Sequence, residues 1–66
     1  MQVIINGEAQ ALTEGVTIAD LVNRLGLNQR RIAVELNREI IAREEYGSLV
    51  LADGDQVEIV HFVGGG

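Results

Sequence analysis

Few side chains in this sequence of 66 residues are equipped for chemistry of their own. There is no Cys, which rules out a thiolate nucleophile or a thiolate metal site, and the single His, His61, stands in an apolar run without a companion. Ser48 has no evident base to activate it. Asp53 and Asp55 flank Gly54, but two carboxylates fall short of the roughly six to eight oxygen ligands that calcium takes, and Asp-Gly-Asp reads as a turn. What remains is the end of the sequence, Gly64-Gly65-Gly66. A carboxylate on Gly66, carried by residues without side chains, can pass through a channel too narrow for any Cβ, with Gly64 and Gly65 as the threading segment. Three extended residues reach roughly 10 Å. A free carboxylate is a poor electrophile, so its use as a reagent requires activation by another protein.

The remaining sequence is then a handle, and its composition limits what can hold it. The formal charge of -5 and a pI near 4.5 oppose nucleic acid as the main partner, because phosphate binding relies on concentrated Lys and Arg. A basic-surfaced protein fits better. All five cations are Arg (Arg24, Arg30, Arg31, Arg38, Arg43), and Lys is absent. Compositional bias accounts for this, or else the lack of side-chain amines spares an activated tail from capture. No apolar run reaches the roughly 20 residues of a membrane helix, and Met1-Gln2-Val3 lacks the pattern of a signal peptide. A soluble cytoplasmic protein, monomeric when free, is expected. At this length the hydrophobic 47% must support one small core without staples, and a large enclosed active site is not expected.

Several elements must position the tail. Val3-Ile4-Ile5 leads into Asn6-Gly7, which suits a two-residue type I′ turn, so a hairpin returning over Glu8 to Leu12 is predicted, with Glu8 opposite Ile5 and Gln10 opposite Val3. Val3, Ile5 and Leu12 are assigned inward and Ile4 outward. Thr17 and Asp20 form a capping box, with Val16 placed to staple against Leu21. Ile18, Leu21, Val22 and Leu25 then form one helical stripe, and Gly26 ends the helix in the left-handed conformation. Such a short helix must dock on a sheet. Ile32, Val34 and Leu36 alternate as a strand, Asn37-Arg38 turns the chain, and Glu39 to Ala42 returns. The run Arg43-Glu44-Glu45-Tyr46-Gly47 reads as a surface connection, with Leu49 and Leu51 pinning this loop to the core. A final strand, Gln56 to Phe62, is apolar on both faces: Val57 and Ile59 on one, Val60 and Phe62 on the other. Such a strand belongs at the centre of a sheet or offers one face to a partner.

Two hairpin-like pairs, one helix and a closing strand give an α+β fold of the β-grasp type, a mixed sheet of four to five strands with one helix packed on one face. The domain is expected to span residues 1–63 and the flexible glycine tail residues 64–66. Because one helix covers one side only, Val60 and Phe62, with Ile4, are candidates for an exposed docking patch.

The sequence resembles the ThiS family, small ubiquitin-like sulfur carriers of thiamine biosynthesis. The resemblance covers nearly the whole chain. It is carried by Val3-Ile4-Ile5-Asn6-Gly7, Thr17-Ile18-Ala19-Asp20-Leu21, Ala33-Val34-Glu35-Leu36-Asn37, Leu51 through Val60, and the ending Val63-Gly64-Gly65-Gly66. Length agrees, since the related molybdopterin carrier is usually longer. Ala42 departs from the family, which often has Pro before the Arg that is here Arg43. The resemblance implies that the carrier supplies no catalytic group of its own. A ThiF-type enzyme adenylates Gly66 with ATP, sulfur from a donor such as a cysteine desulfurase replaces the adenylate, and the thiocarboxylate serves thiazole synthase. Rival readings are sulfur delivery to transfer RNA or molybdopterin, a ubiquitin-like tag joined through Gly66, and a regulatory or RNA-associated β-grasp module similar to TGS domains.

Overall fold

The computed structural model describes residues 1–62. Five strands form one sheet: β1 (Gln2–Ile5), β2 (Glu8–Ala11), β3 (Ile32–Leu36), β4 (Glu39–Ile41) and β5 (Gln56–His61), in the order β2-β1-β5-β3-β4. One helix, α1 (Ile18–Arg24), crosses one face. β5 runs parallel to β1 and antiparallel to β3, so the sheet is mixed and its last strand is central, one of the two placements expected from its two-faced apolar pattern.

The first hairpin has the predicted register, with Ile5 opposite Glu8 and Val3 opposite Gln10. Its turn is built on positive φ at Asn6 (49°) and Gly7 (84°), the condition for a type I′ turn whose twist matches the strands. Past the hairpin the Leu12 N–H donates to the Met1 carbonyl at 2.8 Å.

Helix α1 is short, and every backbone N–H at its start has a partner. The capping box is present: the Asp20 N–H donates to the Thr17 hydroxyl at 3.1 Å, and the Thr17 N–H to the Asp20 carboxylate at 3.0 Å. The Thr17 N–H, and next the Thr17 hydroxyl, hold the Asp20 carboxyl below the usual carboxylate range. The Ile18 and Ala19 N–H groups instead reach the carbonyls of Leu49 (3.1 Å) and Tyr46 (2.8 Å). At the other end the Gly26 N–H meets the Asn23 carbonyl and the Leu27 N–H the Val22 carbonyl, a Schellman motif with Gly26 at φ 71°.

Two expectations are corrected. Leu25 is not part of the buried stripe: it is the C-cap and 42% exposed, because the helix stops at Arg24 and the Schellman turn folds Leu27 back onto the core in its place. Tyr46 is not on a surface connection but buried in the core. A 3₁₀ turn over Arg43–Glu45 swings it inward, and its carbonyl helps to cap the helix. Leu51 is buried and Leu49 packs against the core, as anchors of this segment.

The core is a single layer between helix and sheet, with Ile18, Leu21, Val22, Val3, Val34 and Val57 fully buried. Burial of each such side chain contributes about 1.5–3 kcal/mol, set against the conformational entropy lost in ordering the chain. Among the described residues no helix is long and apolar enough to cross a membrane.

Candidate functional site

The pleat decides which residues face away from the helix. Val57 and Ile59 of β5 are buried under it, so Gln56, Glu58 and Val60 point to the open side. Val60 is 58% exposed, and Phe62, just past the strand, 57%. These two stand together at one end of the face. Ile4 is on the same face and 36% exposed, but it pairs with Gln56, four residues back along β5 from Val60. That separation is roughly 13 Å at the strand rise. The structure therefore places all three on one surface and brings only Val60 and Phe62 together. Ile40, 78% exposed on β4, belongs to the same face. Its signal was the alternation of β4 itself, in which Ile41 turns inward and leaves Ile40 outward.

The strand that leads toward the tail is held at both ends by side chains. β1 pairs with β5 only at Ile4–Gln56 and Ile5–Val57. Beyond that point the Asn6 side chain replaces a strand: its Oδ1 accepts from the Ile59 N–H at 2.7 Å and its Nδ2 donates to the Ile59 carbonyl at 3.3 Å. At the start of β5, Asn37 Oδ1 accepts from the Gln56 N–H at 3.0 Å and Asn37 Nδ2 donates to the Asp55 carboxylate at 3.1 Å. Sequence patterns assigned both Asn residues to turns and missed these contacts, which span 53 and 18–19 positions of chain.

The acidic turn is structural. Asp53 Oδ1 accepts from the Gln2 N–H and Asp55 Oδ2 from the Ala52 N–H, each at 2.7 Å. Both carboxylates thus serve backbone donors and fix where β5 begins. His61 ends β5 opposite Ile32, and the Phe62 N–H donates to the Arg31 carbonyl at 2.9 Å, so the sheet guides the chain up to its last described residue. Gly64, Gly65 and Gly66 lie outside the described residues. A separate open groove lies beside α1, lined in part by the polar residues Asp20, Asn23, Arg30 and Arg43.

Comparison with known proteins agrees with this geometry. The ThiS family model matches residues 3–66. The sulfur carrier protein ThiS of Bacillus subtilis is 50% identical over 50 residues, 76% of each chain. The crystal structure of the thiamine biosynthesis protein ThiS from Geobacter metallireducens superposes with a TM-score of 0.85 at 33% identity, covering 100% of both chains. The thiazole synthase of Paramagnetospirillum magneticum is 41% identical over all 66 residues, yet this chain spans only 20% of that protein's length. A matching family model over nearly the whole sequence, with the five-stranded fold in common, places this chain in the ThiS family.

Proposed function

We propose that this chain is a sulfur carrier for formation of the thiazole moiety of thiamine, with the carboxylate of Gly66 as its working group. A ThiF-type enzyme joins that carboxylate to the α-phosphate of ATP and releases pyrophosphate. The acyl adenylate is a good electrophile where the carboxylate is not. A persulfide formed on a donor such as a cysteine desulfurase displaces AMP to give an acyl disulfide. A thiol reductant cleaves its S–S bond to leave the thiocarboxylate and a new disulfide, and the thiocarboxylate gives its sulfur to thiazole synthase. In this reading the chain binds no cofactor, consumes ATP only through its partner, and acts as a monomeric cytoplasmic substrate rather than as an enzyme.

The observation that carries the reading is the succession, in one ThiS-family chain, of a central strand with an exposed apolar end and a run of glycines that begins three residues past it in the sequence. Val60 and Phe62 offer a partner something to hold beside the tail, with Ile4 as a more distant contact. A relative named thiazole synthase that contains a segment similar to the whole chain supports thiazole synthase as the acceptor.

Intact-mass analysis tests the proposal. Incubation with ATP, the adenylating enzyme and a sulfur donor is expected to exchange one oxygen for sulfur at Gly66. No exchange, a natural chain that continues past Gly66, or thiazole formation that survives deletion of Gly65 and Gly66 would overturn it.

A further inference from the structure

The open face carries a second feature that the apolar contacts leave unused. Glu35 of β3 lies directly opposite Glu58 of β5, and both side chains are on the side away from the helix. Like charges directly opposite each other in an antiparallel pair, with Cβ atoms about 4.5–5.5 Å apart, weaken the sheet that holds them. The strand positions of this face supply no Lys or Arg to relieve the repulsion. Two large apolar side chains border the pair, Ile40 opposite Glu35 on β4 and Val60 opposite Ala33 one outward position along the sheet, while the neutral Gln56 lies on the other side of Glu58 along β5.

We propose that Glu35 and Glu58 together receive an Arg or Lys side chain of the protein partner that docks on Val60 and Phe62. This rests on the docking of a partner at those two residues and names the chemistry of that occupant. A guanidinium has the forked donors to bridge two carboxylates at this spacing, and the exposed Ile40 and Val60 would shield that contact from water once covered. A second copy of this chain is a poor occupant, since it would bring another Glu pair and another net charge of -5 to the same face. The pair therefore selects for a basic partner and against self-association through the same exposed apolar residues.

The test is calorimetric titration of the full chain with the adenylating enzyme of the same organism at low and moderate salt. The E35Q/E58Q variant is expected to melt at a higher temperature than the wild type, to bind at least about tenfold more weakly at low salt, and to lose most of the salt dependence. Unchanged affinity at both salt levels would overturn the proposal. So would an affinity loss fully accounted for by dimerisation of the variant in sedimentation, because the pair would then serve only to keep copies apart. The V60S/F62S variant separates the two readings. If it loses affinity while E35Q/E58Q does not, the apolar docking stands and the basic contact falls; if it binds as the wild type does, the docking reading itself fails.

Discussion

The two hairpin turns, Asn6-Gly7 and Asn37-Arg38, begin alike. Each places Asn at a positive φ, 49° and 50°, and each Asn turns its side chain onto β5. They differ in the part of β5 that is gripped and in the residue after the Asn. Asn6 holds both polar groups of the buried Ile59 backbone, whereas Asn37 holds the exposed start of the strand together with the Asp55 carboxylate. The second position is Gly in the first turn and Arg in the other, at φ 72°. A central strand flanked by short neighbours is thus completed by side chains from the turns, and the two turns need not contribute equally.

The largest expected effect comes from removing the deeper grip. Asn6→Ala leaves the Ile59 N–H without its partner and puts a Cβ-bearing residue without local hydrogen bonding at positive φ, for a loss of about 3 kcal/mol in urea unfolding. Asn37→Ala meets the same backbone cost, but water replaces its exposed bonds, so about 1.5 kcal/mol is expected. Asn→Gly at each site keeps the φ and isolates the side chain; equal losses for the two Gly variants would break the comparison. The smallest effect runs the other way. Arg38→Gly relieves the left-handed strain against a larger unfolded-state entropy and is expected to stabilise the fold by about 0.5–1 kcal/mol, measured as a shift in urea midpoint at constant slope.

What the sequence made legible was local. The Asn6-Gly7 turn, the Thr17–Asp20 box and the Gly26 stop are each decided within a few residues, and the alternation of β5 separated Val57 and Ile59 from Val60 and Phe62 correctly. Tyr46 was hidden because it follows two glutamates in a polar run, and only a 3₁₀ turn that supplies a carbonyl to Ala19 explains its burial. Leu25 kept the helical period but lay one residue past the end of the helix. The opposition of Glu35 and Glu58 and the Asn6–Ile59 contact depend on strand register across many residues, which no periodicity reports. The candidate site divides in the same way: its apolar part was visible as a pattern, and its charged part required the register.

The strand order has a further meaning when the chain is followed in time. β5 is the last of the five strands to be made and the only one that touches both hairpins. Until residues 56–61 are available, β1–β2 and β3–β4 are two marginal ribbons with no strand between them to pair with both. Folding must therefore wait for pairings that span about fifty residues, a slow class of contact for so small a protein. A chain cut short before β5 lacks the strand that joins its two hairpins and cannot close its sheet.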